Sequence, residues 1–183
     1  MSRSGPNAGA RRARANRRLY KRLIIAFYDV VELQACHHEL STMGTGPKDV
    51  ERRAVIAKAL ATNLIVGYGR LFSANKEAPD VARHLPPNLV DRFSASLKRV
   101  HNELMRRRDT EFAHSDPGPS KVVVRVIVGP AGQPVPVPES SIVRRPLDAG
   151  TLEGVREILE TTYAFIYDEM ERVRVDLTPG EVF

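Results

Sequence analysis

Four stretches of this chain each place their apolar residues on one helical stripe, and each is bounded by residues that break or start a helix. In the first, Leu23, Phe27 and Val30 recur at helical spacing with Ile24 and Val31 beside them, which predicts a helix over about 14–41. MGTGPKD then breaks the pattern, and Pro47 suits the first position of a new helix. That second helix, about 47–73, has its stripe at Ile56, Leu60, Leu64, Tyr68 and Leu71. Gly67 and Gly69 interrupt it late; each costs about 1 kcal/mol against alanine, so they point to a close helix crossing or a bend. Pro87 opens a third helix whose stripe is Val90, Phe93, Leu97, Val100 and Leu104. It should end near His114, because SDPGP cannot continue it. The last helix, about 152–174, carries Leu152, Val155, Leu159, Ile166, Met170 and Val173 on one face, with Thr151 as its expected cap.

Between the third and last helices the period changes. KVVVRVIVG reads as a strand, AGQP supplies a turn, and PVPVPESSIV reads as an edge strand at best, because proline has no ladder donor. The two runs are expected to pair as an insertion over about 121–144. Helices with one apolar stripe each bury it against one another. The fold class is therefore mainly α: a four-helix bundle with a small β-hairpin insertion before the last helix. Its domain should run over about 14–176, between a disordered tail at 1–13, rich in Gly, Ser, Asn, Ala and Pro, and a loose tail at 177–183.

Composition narrows the chemistry. The single cysteine, Cys36, rules out an intrachain disulfide and a multi-cysteine zinc site, and no tryptophan is present to stack or cage a ligand. GTGP lacks the strand before it and the Lys-Ser pattern after it that a nucleotide-binding loop needs. No uninterrupted apolar run approaches membrane-spanning length, and no apolar signal core follows the basic N-terminus. The expectation is a cytoplasmic protein with no membrane contact, no metal and no cofactor. Its net charge of +6 favours polyanionic partners.

The densest chemistry lies in HNELMRRRDTEFAHSD, residues 101–116. One turn past Leu104, where a core residue is due, the chain offers Arg107 and Arg108. A guanidinium presents a charged fork suited to phosphate oxygens, and a histidine moves a proton near neutral pH. Together they suit attack of an RNA 2′-hydroxyl on its neighbouring phosphate, with Asp109 and Asp116 able to fix the arginine or the imidazole tautomer. On a straight α-helix Arg108 and His114 stand about 240° apart, so they converge only if the helix ends or bends, or if a second chain supplies one of them. The same residues also suit a solvated helix C-terminus, where cations favour the dipole.

Arg108–Asp109, four further residues and His114, with Ala113 before it and Asp116 two after, resembles the motif of HEPN domains, in particular the R-N/D-K-x-x-A-H-x-D form of AbiU2-like members associated with phage-abortive systems. Thr110 stands where a lysine is common in that form. The likeness extends over about 20–174, since HEPN domains are helical bundles with the motif at the end of a long helix. It implies a metal-independent endoribonuclease acting as a homodimer, with a composite cleft at the interface, in phage defence or toxin–antitoxin biology and with a cognate regulatory protein as a partner. On this sequence it makes Arg108 the phosphate-stabilising residue, His114 the acid–base residue and Asp109 the adjacent polar residue. Arg107 is the alternate arginine. The family also contains members that only bind, regulate or scaffold.

Other residues invite both a chemical and a packing interpretation. Cys36-His37-His38 splay around a helix, so three in a row cannot easily chelate one ion; His38 continues the side of Ile24, Val31 and Ala35 and is the expected buried one. His101, a heptad before Arg108, could support the site or bond across an interface. His84 sits in a loop and is assigned nothing. The basic run 11–22 offers Arg11, Arg12, Arg14, Arg17, Arg18, Lys21 and Arg22 to RNA, or is a solvated helix start; with only Tyr20 among them, stacking on bases is unsupported. Tyr163, Phe165 and Tyr167 cover several faces of the last helix and are assigned to packing.

Overall fold

The computed structural model describes residues 7–44, 49–74, 78–112, 122–140, 146–175 and 177. They form a mainly helical bundle with a small antiparallel hairpin before the last helix. Helix α1 runs Asn7–Thr42, α2 Val50–Phe72, a single turn α3 Asn88–Asp91, α4 Ala95–Arg107 and α5 Ala149–Arg174. A π-helical stretch, Arg108–Phe112, continues α4 directly. α1 and α4 each pack on both α2 and α5, so the bundle closes as a ring in the order α1, α2, α4, α5.

Three expectations about the helices change. The first helix begins at Asn7, so residues 7–13 are helical and not a disordered tail; Ala8, Ala10, Ala13 and Ala15, interspersed with arginines, are strong helix formers. The third helix is broken. Ser94, in an extended backbone conformation, accepts a hydrogen bond from the amide of Leu97 and starts α4 afresh. The last helix starts at Ala149, and its cap is Asp148, whose carboxylate accepts from the amide and the hydroxyl of Thr151.

The core gathers Leu23, Ala26, Val30 and Leu33 of α1, Leu64, Ile65, Tyr68 and Leu71 of α2, Leu97 and Leu104 of α4, and Val155, Leu159, Phe165, Ile166 and Val173 of α5. Phe93, in the break before α4, joins them. Ile56 of the expected stripe is exposed, together with Val50 and Val55, so α2 enters the core only from Leu60 onward. Tyr163 and Tyr167 are likewise exposed while Phe165 between them is fully buried. Among the described residues α2 is the one helix long and apolar enough to cross a membrane, its mean hydropathy reaching 1.2 over eighteen residues.

Strands β1, Val122–Val128, and β2, Pro134–Ser140, pair antiparallel with Val128 opposite Pro134, Val126 opposite Pro136 and Val124 opposite Pro138. The amide of Gly129 donates to the carbonyl of Gln133 at 2.8 Å, which makes the next pair, Val128 and Pro134, a non-hydrogen-bonded one. All three prolines fall at such positions. Their missing N–H groups are therefore those that would have faced away from β1, and no ladder donor is lost.

Candidate functional site

Consecutive helical residues diverge by about 100°, and the three arginines at 106–108 accordingly part company. Arg106 is exposed and pairs with Glu103 through two bonds of 2.9 and 2.7 Å. Arg107 turns into the bundle and is only 6% exposed. Its Nε and Nη2 donate to the two carboxylate oxygens of Glu111 at 3.0 and 3.2 Å, a fork-on-fork pair one turn apart. The alternate arginine of the sequence is thus held inside the fold.

Arg108 keeps partial access to solvent, its side chain 30% exposed. Its stem lies across α2: a Cβ built on Gly69 would sit 2.7 Å from Arg108 Cγ and 2.9 Å from Cδ. Of the two interpretations of the α2 glycines, close crossing is therefore the right one. Gly67 does the same for Leu33 of α1, whose Cδ2 would be 2.7 Å from an added Cβ. Arg108 Nη1 donates to Oδ1 of exposed Asp109 at 2.7 Å. His114 and Asp116, the other members of the motif, lie outside the described residues.

Arg108 is also the first residue of the π-helical stretch. There the backbone bonds run i to i+5, which widens each turn and advances each residue through a smaller angle than in an α-helix. The α-helical phase that opposes Arg108 to His114 consequently does not hold through residues 108–112. Such stretches recur at functional sites because they re-aim side chains without breaking the helix.

His101 stands two turns earlier on α4, among rings. Phe72, Tyr68 and Phe93 lie 4.7, 5.8 and 5.8 Å from it, centroid to centroid. The Tyr68 hydroxyl is 2.7 Å from His101 Nδ1. Burial lowers the histidine from its ordinary pKa and raises the tyrosine well above its own. Both shifts favour the neutral pair, in which the phenol O–H donates to Nδ1. His101 is tied within its own chain to α2, a partner the sequence did not suggest.

The histidines of α1 exchange the expected roles. His37 is half-buried and its Nε2–H donates to the Leu152 carbonyl at 2.9 Å, joining α1 to the start of α5; His38 is exposed. The buried seam follows Leu23, Ala26, Val30 and Leu33, whereas Val31 and Ala35, which pointed to His38, are exposed. Cys36 is buried, and its Sγ accepts from Asn63 Nδ2 at 3.2 Å. The three side chains thus point to three different neighbourhoods. Among the described residues no three His, Cys, Asp or Glu side chains gather as a metal site.

The basic run divides too. Arg11, Arg12 and Arg14 are exposed, and Arg17, Arg18 and Lys21 are half-buried. Arg22 is the correction: it is only 4% exposed, and its Nη2 donates to the carbonyls of Arg70 at 2.9 Å and Leu71 at 2.8 Å. Those are carbonyls of the last turn of α2, which lack the amide partners of a helix interior; Arg70's also accepts from the Ser73 amide at 3.3 Å. A guanidinium closing a helix end inside the bundle is not on a surface that nucleic acid can touch. Nearby Asp29 has its carboxyl raised above the ordinary range by burial, with Arg70 and Arg22 opposing the shift.

No family model matches this chain, and no curated protein and no solved structure matches it either.

Proposed function

We propose that the chain is a metal-independent endoribonuclease of the HEPN type, built on a HEPN-like four-helix bundle. It would cleave RNA at a composite site between two copies, in the setting of phage defence or toxin–antitoxin biology. Arg108 holds the scissile phosphate, Asp109 orients the guanidinium, and His114 handles the proton. In the reaction the imidazole of one copy takes the proton of the 2′-hydroxyl and O2′ bonds to phosphorus. The P–O5′ bond breaks, and the imidazolium of the second copy protonates the leaving oxygen. The products are a 2′,3′-cyclic phosphate and a 5′-hydroxyl.

The observation that carries this reading is the contrast between adjacent arginines. Arg107 is buried and paired, whereas Arg108 is partly open to solvent and braced on Gly69 at the start of a π-helical turn. A fixed, reachable guanidinium is what phosphate stabilisation needs. The test is incubation with total RNA in EDTA, with Arg108→Ala and His114→Ala beside the parent protein. Cleavage that both substitutions abolish, leaving cyclic phosphate ends, supports the reading.

One observation favours a second reading, a non-catalytic dimeric binding or regulatory module. The Arg108 guanidinium already has a carboxylate partner, Asp109, at 2.7 Å. An inactive parent protein that is folded and dimeric would establish that alternative.

A further inference from the structure

No acidic residue precedes Asp29, and the N-terminal half of α1 carries its positive charge in helical register. Arg14, Arg17, Arg18 and Lys21 stand at i, i+3, i+4 and i+7, and so share one face over about 10 Å of helix axis. The structure gives that face an opposite wall. The connection after α2 folds back on α1: the Ala82 amide donates to the Arg18 carbonyl at 2.9 Å, and Lys21 Nζ donates to Asp80 at 2.6 Å. Arg18 Nη2 also reaches the Val81 carbonyl, at 3.4 Å. Between the two walls lies a cavity of about 290 Å³ lined by Arg14, Arg17, Arg18, Lys21, Pro79 and Asp80. Among the described residues that line it, four are cations and one is a carboxylate.

We infer that this cleft, whose lining does not include Arg108, is a second anion site that holds the phosphodiester backbone of a nucleic acid. A guanidinium suits phosphate oxygens, and a row of them along a helix tracks a phosphate chain without reading its bases. The described side chains that line the cleft include no aromatic ring, so it offers no stacking platform. An anionic membrane is the weaker occupant. From Asn7 to Arg18 the helix has no apolar residue larger than alanine to insert between lipids. The inference does not depend on Arg108 or on catalysis.

The test is fluorescence anisotropy of the full chain with a labelled 2′-O-methyl RNA, which has no attacking hydroxyl, and with single-stranded DNA of the same sequence. Vesicles of phosphatidylcholine and phosphatidylserine form the third arm. Affinity should fall steeply with salt. Arg14→Glu with Arg17→Glu should weaken binding at least about tenfold at moderate salt and flatten the salt slope by about 1.4, as two lost phosphate contacts require. Asp80→Asn removes the one carboxylate among the described lining residues and should tighten binding severalfold. Arg156→Gln, at an exposed arginine outside the cleft, should leave binding within about twofold, and equal affinity for RNA and DNA would identify pure backbone recognition. Urea midpoints equal to the parent's establish that the variants are folded; Arg14→Gln with Arg17→Gln replaces the reversal if it is not. A charge-reversed, folded protein that binds both strands as the parent does overturns the inference. So does a parent protein that binds the vesicles and neither strand. Cleavage that survives Arg14→Glu with Arg17→Glu at unchanged KM would sink this site and leave the ribonuclease standing, whereas binding without cleavage would do the reverse.

Discussion

The stem of Arg108 occupies the space that a side chain at Gly69 would need, with Cγ 2.7 Å from where a Cβ would stand. Gly69→Ala therefore has two opposed consequences. Alanine favours the helix by about 1 kcal/mol, but Arg108 must swing off α2. We expect the thermal midpoint to move little and, if the proposed ribonuclease function holds, RNA cleavage to fall by up to about 100-fold, since misplacing a catalytic group by an ångström has that effect. Parallel melting and cleavage assays check it. Full activity in the Gly69→Ala protein would show that the seat on α2 is irrelevant to the site.

The adjacent arginine should behave in the opposite way. Arg107→Ala leaves Glu111 largely buried without its bidentate partner, so it should destabilise by about 3 kcal/mol, as broken buried pairs do. Converting both Arg107 and Glu111 to methionine should recover much of that loss. Arg108→Ala removes only a half-exposed pair and should change stability by less than about 1 kcal/mol. Urea titrations of the three variants beside the parent separate the arginine that holds the fold from the one available to phosphate.

Acid should loosen the contact between α2 and α4. The folded protein holds His101 below its ordinary pKa through burial, so the unfolded chain binds its proton more readily. The stability this neutral imidazole contributes is present above the ordinary histidine range and is lost as pH falls through the folded value. The melting temperature should drop on going from slightly alkaline to mildly acidic pH, and the drop should be smaller in His101→Gln. An identical drop in both proteins would assign the effect to other groups. Tyr68→Phe should lower stability by about 1 kcal/mol at neutral pH, since only the hydrogen-bonding hydroxyl is removed.

Within the basic run, stability and binding should separate by position. Arg22→Met takes the guanidinium donor from the Leu71 carbonyl and leaves the Arg70 carbonyl only the Ser73 amide at 3.3 Å, and should destabilise by roughly 1–3 kcal/mol. Substitutions at exposed Arg14 should leave the urea midpoint unchanged. Comparable losses at both positions would contradict the division of the run into cap and surface.

Much of the bundle is legible in the sequence because apolar period reports burial directly. The stripes of the first and last helices fall where the core is, and the valine-rich run pairs with its proline-rich neighbour. What escapes is phase and interruption. Val90, Phe93 and Leu97 keep helical spacing across the break at Ser94, so the stripe conceals the cap that the serine signals. Counting from Ile24 and Val31 favours His38, one residue off the seam that buries Leu23 and Val30. Arg22 reads as one more surface cation because nothing local reveals that the end of α2, almost fifty residues later in sequence, needs a donor there. In the candidate site, the i to i+4 spacing of Arg107 and Glu111 is visible, but only tertiary packing decides that Arg107 faces inward and Arg108 faces Gly69.

The alternating prolines of β2 have a consequence for how this protein meets copies of itself. Pro134, Pro136 and Pro138 turn toward the open side of the hairpin the backbone positions that would carry its outward amide donors. Along Pro134–Pro138 a strand arriving there finds carbonyls to donate to and no amide to accept from, the first outward donor being at Ser140, so a cross-β stack is blocked over most of that edge. The valine-rich β1 keeps its outward donors, and Arg125 is its one charged residue. Any self-templating of the hairpin is thereby biased to one side, and two hairpins meeting through their β1 edges would leave only the blocked edges outward.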